Sequence, residues 1–554
     1  MPKIVVTFLE NVLKTCIKSK TRYTDRFTSR EIGGSWSEVA VAALATVAVV
    51  LVGLLIRRKA SHSIRRQLPP GPAGWPILGC LPLLSAMPHE SLYKLSKQYG
   101  PLMFMRLGSV KTLVVTSRKF AEEIFKTHDK SIASRPDLIV PSELFYNGVD
   151  VAFGPYGQHW RYLRKVCTVG LLTTTRINQF REVREREVMA ALHFILEESQ
   201  RGNAVNMNDC FSSIAMNNIT QMMMNRSYCV HSSGSKSVLP NPLLKAIREM
   251  LELLGGFNIA DYIPLLKPFD LQGLRKRSKA LHSILDKFIQ EVIEEHRQGR
   301  SIANTENYKE DFVDALLGFG QTKEFEERLS MDSVKAIILD MILGGGDTSS
   351  VAALWALTEL LKHPHVLRKV QEELDSVVGR HRLVHEEDLP KLLYVTAVMK
   401  EILRVHTPGP LIVRHLSTDE CEIEGFHIPA GTQVIVSPWC IHRDPAVWER
   451  PLEFDPDRFL NSTTDFKGQN FEFLPFGAGR RMCPGMNLGA LMVIYPLSVL
   501  VHALDWALPD GQKPEELDMS ETFGIVLDKK VPLMAFGTAR LPNHVLYPAQ
   551  QVKQ

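Results

Sequence analysis

Paired cysteines are missing from this sequence. Its eight cysteines are spread over 554 residues, no two of them form a CxxC pair, and no Cys/His group has the spacing of a zinc site. A disulfide framework needs a denser set, so the folded part is expected to belong to a reducing compartment. A cysteine with a chemical role in this chain therefore acts alone.

Strong charge of one sign is missing as well. The formal net charge is +4, and no stripe of basic and aromatic residues appears. Nucleic acid is therefore not an expected partner. The chain also lacks a GxGxxG dinucleotide fingerprint, so electrons for any redox chemistry must come from a separate protein.

Charge is absent altogether from residues 39–56. As a helix this run spans roughly 27 Å, about the thickness of a bilayer core. Five basic residues follow within 57–66, and a basic flank marks the cytosolic side. We predict a transmembrane anchor, with a cleaved signal peptide or a buried helix as alternatives. Residues 1–38 carry seven Lys/Arg against four acids, so a targeting sequence is a second interpretation of that extension.

The rest of the chain shows mainly helical apolar spacing. A proline-rich connector at 68–79 separates it from the anchor. The predicted helices are 86–98, 158–170, 177–200, 239–255, 272–298, 331–363, 365–378 and 391–405, and strand-like runs lie at 102–107, 112–116, 421–428 and 432–436. A second uncharged run, 484–504, contains Asn487, Pro496 and Ser498, and we expect a buried core helix there. The predicted organisation is an extension (1–38), an anchor (39–56), a basic linker and hinge (57–72) and one catalytic domain (73–554).

Cys483 lies in the loop FLPFGAGRRMCPGMNLG, residues 473–489. Pro484 suits the first turn of a helix, which would place the cysteine at a helix N-terminus, where thiolate is favoured. The glycines let the backbone approach a flat partner, and Arg480 and Arg481 offer cations to an anionic one. The alternative is an inert side chain in a surface loop. The combination suits an iron porphyrin with carboxylate arms.

The segment Phe476–Gly485 resembles the haem-thiolate loop of the cytochrome P450 family, FxxGxRxCxG, at every fixed position. This resemblance implies the cytochrome P450 fold, mainly α with small β-sheets. It also implies haem b (iron protoporphyrin IX) with Cys483 as the axial thiolate, Phe476 as a cofactor-binding residue, and Arg481 as a partner of a haem propionate.

Two further segments resemble structural motifs of the same family. Glu401 and Arg404 are three residues apart on one helical face, which by itself also fits a solvated ion pair. The segment FDPDRF, 454–459, is similar to the family's PERF segment. The resemblance implies that Glu401, Arg404 and Arg458 form a buried network that holds the cysteine loop.

Residues 343–350, LGGGDTSS, interrupt a helical pattern with three glycines, each costing on the order of 1 kcal/mol against alanine. A break into a loop is one interpretation. The segment also resembles the family's AGxDT motif, in a helix that crosses the haem face. The resemblance implies that the glycines make room for O2, that Thr348 supports a proton path to O2, and that Asp347 is its carboxylate relay.

Trp160 and Arg164 are four residues apart and fit the family's WxxxR motif. Both side chains are hydrogen-bond donors suited to a haem propionate, although an interfacial tryptophan beside a surface arginine would show the same spacing. By the same resemblance Arg414, in PLIVRH, is a further propionate partner.

The resemblance implies a membrane-anchored monooxygenase of the microsomal, plant-like type. We expect the endoplasmic reticulum membrane, a catalytic domain facing the cytosol, and electrons from NADPH–cytochrome P450 reductase. The 38-residue extension departs from the pattern of these members. Expected pocket segments are 143–153, 254–265, 339–348, 408–413 and 521–526; their apolar walls favour a small lipophilic substrate, a terpenoid before a neutral phenolic. Alternatives are a haem-thiolate isomerase or dehydratase, which the Asp347–Thr348 pair disfavours, and a haem-binding protein without turnover.

Overall fold

Helices dominate the chain in this computed structural model, which describes residues 67–229, 242–300, 310–319 and 329–547. The predicted anchor and the extension before it lie outside these residues. The α-helices are α1 Pro88–Tyr99, α2 Arg118–Glu122, α3 Asp129–Ile132, α4 Ile139–Leu144, α5 Gln158–Lys165, α6 Thr174–Gln179, α7 Arg181–Gln200, α8 Met207–Met224, α9 Pro242–Gly255, α10 Leu274–Arg300, α11 Phe312–Gly318, α12 Met331–Lys362, α13 Pro364–Val377, α14 Leu393–Val405, α15 Pro438–Ile441, α16 Met486–Ala503 and α17 Asn543–Leu546.

Short strands form small sheets beside the helices. They are β1 Leu102–Leu107, β2 Val110–Val115, β3 Val205–Asn206, β4 His415–Leu416, β5 Cys421–Ile423, β6 Phe426–Ile428, β7 Gln433–Val436, β8 Leu504–Ala507, β9 Glu521–Thr522, β10 Asp528–Lys529 and β11 Met534–Ala539. The four-stranded sheet has the order β1-β2-β7-β4, with β2 and β7 parallel. The predicted run 421–428 divides into the hairpin β5–β6, because Glu424 and Gly425 both have positive φ, as a tight hairpin turn requires.

The predicted helices are confirmed, with two subdivisions. The predicted run 177–200 is divided at Phe180 between the end of α6 and the whole of α7. Helix α5 ends at Lys165 and passes into a wider π turn, Val166–Leu171. The glycine-rich stretch does not break the chain into a loop: α12 is continuous through Gly344–Gly346, and Ser330 caps its start by accepting the Ser333 N–H at 3.1 Å.

Helix α8 was not predicted, and its burial explains why. Nearly every side chain from Met207 to Met224 is buried, so the apolar residues follow no single face. Two of its buried polar side chains bond to the neighbouring helix α7: Asn217 and Gln221 donate to the Glu187 carboxylate at 2.7 and 2.6 Å. A helix buried on all sides has no amphipathic period to detect.

Helix α12 is the centre of the fold and packs between α8 and α16. Two of its glycines allow the close approach of α8. A Cβ at Gly345 would lie 2.8 Å from Ile219 Cδ1, and one at Gly346 would lie 2.8 Å from Met216 Cε. These glycines therefore serve helix packing.

Two described helices, α12 and α16, are long and apolar enough to cross a membrane, yet most of each lies buried inside the fold. The prediction of a core helix over 484–504 is thus confirmed. Its start differs from the prediction: the helix begins at Met486 with Gly485 as its N-cap, and Pro484 precedes the cap. Cys483 therefore stands in the loop before the helix.

Candidate active site

A cavity of about 490 Å³ lies between α12 and the cysteine loop. All five predicted pocket segments contribute to its wall, which is mostly apolar. Thr348 lines it from α12, and Cys483, Phe476 and Arg481 line it from the loop. The volume is in the usual range for a ligand site.

Glycines shape the cysteine loop where the backbone requires them. Gly477 and Gly479 have φ of 70° and 67°, in the left-handed region that favours glycine. The loop then turns back on itself, because the Cys483 N–H donates to the Phe476 carbonyl at 2.9 Å. The Phe476 ring packs edge-on against Phe466 with centroids 5.5 Å apart. Because the Phe476 carbonyl accepts the Cys483 N–H, this ring packing also helps to hold Cys483 in place at the cavity wall.

The Cys483 thiol differs from the prediction of a lowered pKa. Burial raises its pKa, while the Gly485 N–H and the Arg164 charge act in the opposite direction without outweighing burial. The prediction was wrong because it weighed the helix N-terminus and left out desolvation. A metal bound to the sulfur would itself remove the proton.

Arg480 and Arg481 point to different partners. Arg480 donates from Nη1 to Asp129 Oδ2 at 2.6 Å on the outer side of the loop. Arg481 is buried, with its guanidinium 4.0 Å from the centre of the Trp160 ring. It donates to the carbonyls of Ala133, Val151 and Gly154, which uses three of its five N–H groups. Two N–H groups remain for an anionic partner.

Trp160 is not a free donor in this structure. Its indole N–H donates to the Val151 carbonyl at 2.9 Å, so the ring builds the wall and supports Arg481. The expectation that this N–H is available to a propionate is therefore not met. Arg164 also lines the cavity, and among the described residues no protein group accepts a hydrogen bond from its guanidinium. It is the more accessible donor of the pair.

Arg414 and His415 both reach the cavity wall. Arg414 lies over the Tyr262 ring, 5.3 Å from its centre. His415 is buried; its Nδ1 lies 3.2 Å from Arg135 Nη1, and its Nε2 has no hydrogen-bond partner within the described residues. Arg414 was predicted from the sequence, whereas His415 and Arg135 were not.

Thr348 faces the cavity, and Asp347 does not. The Thr348 hydroxyl donates to the Gly344 carbonyl at 2.7 Å, and a Cβ on Gly344 would meet no atom within 4 Å. Asp347 lies outside the wall; burial first, and then the Asp528 charge, raise its pKa to about 6. Of the glycines in this helix, Gly344 is the one that leaves space open.

The predicted network behind the cysteine loop is present. Arg404 and Arg458 both donate to the buried Glu401 carboxylate. Arg404 also donates to the His442 carbonyl at 2.8 Å, and His442 Nε2 accepts the Leu474 N–H at 2.9 Å. Since that nitrogen accepts, the neutral ring carries its proton on Nδ1, facing Thr407 Oγ1 at 2.8 Å. The ion pair therefore reaches the cysteine loop through one histidine.

These groups suit an iron porphyrin with carboxylate arms. One mostly apolar cavity brings together the Cys483 thiol, the open space beside Gly344, the Arg164 guanidinium and, among the described residues, the unpartnered Nε2 of His415. A mainly helical fold that brings the cysteine loop with Cys483 to the same cavity as Thr348 is the arrangement expected of a haem-thiolate oxygenase.

Comparison with known proteins agrees with this class. The sequence profile described as Cytochrome P450 matches residues 69–535. The chain is 40% identical to a flavonoid 3′-monooxygenase of Crocosmia x crocosmiiflora, over 90% of this chain and 97% of that protein. It is 40% identical to a flavonoid 3′,5′-hydroxylase of Campanula medium, over 87% and 93%. A zebrafish cytochrome P450 solved with progesterone has a TM-score of 0.67 and 27% identity, covering 82% of this chain and 99% of that chain.

The chain belongs to the cytochrome P450 family. It is a haem-thiolate monooxygenase that uses haem b, O2, a small substrate and electrons from a reductase partner.

Proposed function

We propose that this enzyme hydroxylates a neutral phenolic of the flavonoid class at the cavity between α12 and the cysteine loop. The names of the relatives support this substrate class, and they favour it over the terpenoid expected from the aliphatic wall segments. The cavity adds a physical reason: Asp261 and Tyr262 place polar groups within the apolar wall, suited to phenolic hydroxyls.

In this proposal the Cys483 sulfur would hold the haem iron, and Arg164, Arg481, Arg414 and His415 would hold the carboxylate arms. Bound haem supplies the activation of O2 and its insertion into a C–H bond. The residues of the chain then have three tasks: to hold the cofactor, to exclude water and to deliver protons.

Thr348 delivers the protons at the cavity wall. Its hydroxyl is held in place by the Gly344 carbonyl, next to the open space beside that glycine. Asp347 is the candidate relay from outside the wall, because its pKa of about 6 lets it exchange protons near neutral pH.

The substrate proposal is tested with the full chain and a reductase, using matched panels of flavonoids and terpenoids. A flavonoid should shift the haem absorption spectrum and give a hydroxylated product only with both NADPH and O2. Turnover of terpenoids alone would overturn the substrate class, while conversion of a hydroperoxide without NADPH would instead indicate an isomerase.

A membrane location is also part of the proposal, with residues 39–56 as the anchor, 1–38 as an extension, and NADPH–cytochrome P450 reductase as the electron donor. Trp75 and Ile77 are 63% and 80% exposed, and Leu265 is 84% exposed. Both segments join the β1–β2 turn, through Gly108 N–H to Leu78 O and Ser109 N–H to Tyr262 O, each 2.9 Å. Exposed apolar side chains near the start of the domain fit a lipid surface.

Cell fractionation of the full chain and of a variant without residues 1–56, both expressed in a eukaryotic cell, tests this location. The full chain should sediment with endoplasmic reticulum membranes and resist extraction by carbonate, whereas the shortened chain should be extracted. A full chain that appears in the soluble fraction would contradict the anchor.

A further inference from the structure

Two buried carboxyl groups meet beside the cavity. Asp340 lies on α12, two turns before Thr348, and lines the cavity; Asp150 lies in the segment between α4 and α5 and is 1% exposed. Their side chains are within hydrogen-bonding reach of each other. Oδ1 of each is buried and lacks a hydrogen-bond donor among the described residues. Two carboxylates can only accept, so one proton is needed to satisfy both oxygens.

The other carboxyl oxygen of each aspartate, Oδ2, accepts a hydrogen bond from a backbone N–H. Asp340 Oδ2 accepts the Val151 N–H at 2.7 Å, and Asp150 Oδ2 accepts the Phe153 N–H at 2.7 Å. Asp340 therefore ties the segment 150–154 to α12 by a direct contact. The carboxyl–carboxyl contact adds a second tie at the same point.

The segment 150–154 also forms hydrogen bonds with Arg481 of the cysteine loop. The Val151 carbonyl accepts from Trp160 Nε1 and from Arg481 Nη1, and the Gly154 carbonyl accepts from Arg481 Nη2 at 2.6 Å. Asp340 on α12 is thus connected to Arg481, two residues before Cys483, through one short stretch of backbone.

The surrounding charges fit a pair that holds one proton. Burial raises the pKa of Asp150 to about 6, against the pull of Arg135 and Arg481, which lower it. Burial, and then the Asp150 charge, raise the pKa of Asp340 well above its ordinary value. The Cys167 thiol also faces Asp340 and brings no positive charge, since burial raises its pKa. These surroundings favour a pair that holds one proton.

We propose that Asp150 and Asp340 share one proton, and that this pair is a positioning site that fastens the 150–154 segment to α12 and so fixes the cysteine loop relative to Thr348. Loss of the proton would place two buried negative charges side by side and release the segment. The proposal is independent of which substrate the cavity accepts.

Infrared spectroscopy of the haem-loaded full chain tests the shared proton. At pH 7 a band of a protonated carboxylic acid should appear, should shift in D2O, and should be lost in both Asp340→Asn and Asp150→Asn. Asp332→Asn, which removes an exposed acid of the same helix, should leave the band unchanged. Absence of the band in the wild type, or its survival in both pair variants, would overturn the shared proton.

Release of haem to an acceptor protein tests the positioning role. Wild-type release should accelerate as the pH rises and the proton is lost. Asp340→Asn keeps an acceptor for Val151 and a donor for Asp150, so its release should stay slow and independent of pH. Asp340→Ala lacks both and should release haem several-fold faster at every pH. Equal rates for Asp340→Ala and the wild type would refute the positioning role. If Asp340→Ala does not fold, Asp340→Asn decides: release that is independent of pH supports the role, and release that accelerates with pH as in the wild type refutes it.

Discussion

Arg404 donates two parallel hydrogen bonds to Glu401, from Nε to Oε2 and from Nη2 to Oε1, each 2.7 Å long, and both side chains are completely buried. Such a pair is stable only when the remaining polar atoms are also satisfied. Here Arg458 donates to Glu401 at 3.1 Å, and the Arg404 Nη1 group donates to the His442 and Pro451 carbonyls. Hydrogen bonds from and to neighbouring groups thus offset the cost of burying this ion pair beneath the cysteine loop.

Replacing Arg404 by alanine should destabilise the protein by about 3–5 kcal/mol, because the Glu401 carboxylate stays buried without its main partner. Arg297→Ala is the matched control: Arg297 pairs with Glu294 at the same three-residue spacing, but both are about half exposed. That change should cost about 1 kcal/mol or less. Denaturant unfolding measures both, and similar losses for the two variants would contradict the role given to the buried pair.

Neighbouring glycines of α12 should respond oppositely to alanine. Gly345→Ala places a Cβ 2.8 Å from Ile219 Cδ1 and 2.9 Å from its Cγ1, so it should destabilise the protein by about 1–3 kcal/mol. Gly344→Ala meets no atom and should be neutral, or stabilising by up to about 1 kcal/mol through helix propensity. Unfolding midpoints distinguish the two; a destabilised Gly344→Ala would show that the space beside it is not open.

Short motifs made the site predictable because each combines residue types that are costly elsewhere. Three glycines in a helix are unusual, and here they allow close helix packing and leave open space at the cavity. Arg481 and Cys483 are close in sequence because both line that cavity. Periodicity failed for α8, where the polar Asn217 and Gln221 are buried together with the methionines beside them. The direction of the Cys483 pKa shift could not be predicted from the sequence either, because the burial that raises this pKa depends on elements distant in sequence.

Two cysteines line the cavity, which allows a direct test of the ligand. Cys483→Ala should abolish the thiolate-type spectrum of the reduced carbon monoxide complex. Cys167→Ala should keep it, because Cys167 lies in the π turn Val166–Leu171, outside the Phe476–Gly485 loop that resembles the haem-thiolate motif. The opposite pattern in the two spectra would reassign the ligand to Cys167.

Thr348→Ala should keep the haem spectrum and the stability within about 1 kcal/mol, because only one hydroxyl bond to Gly344 is lost. Product formed per NADPH consumed should fall by up to about a hundredfold, as expected when a proton donor is removed. Thr348→Ser restores the hydroxyl and should recover most of the yield. Asp347→Asn should lower the yield less than Thr348→Ala if the relay acts through Thr348; unchanged coupling in Thr348→Ala would remove this residue from the proton path.

His406 should make stability depend on pH. It is buried between Glu359, 2.6 Å from its Nε2, and Glu521, 3.3 Å from its Nδ1, and it stacks on Trp355 with ring centres 3.9 Å apart. Burial alone would lower its pKa, but the hydrogen bonds to Glu359 and Glu521 raise it above its ordinary value.

Because the folded-state pKa of His406 is raised, its stabilising effect is complete below the unfolded value of about 6.5 and is lost as the pH rises through the folded value. His406→Gln should therefore cost roughly 2 kcal/mol at pH 6, the value of a charge-assisted hydrogen bond, and less at pH 9. His381→Gln, at an exposed position, should show no such difference. Unfolding of the three proteins at both pH values gives the comparison, and an equal cost of His406→Gln at pH 6 and pH 9 would mean that His406 is neutral in the folded protein.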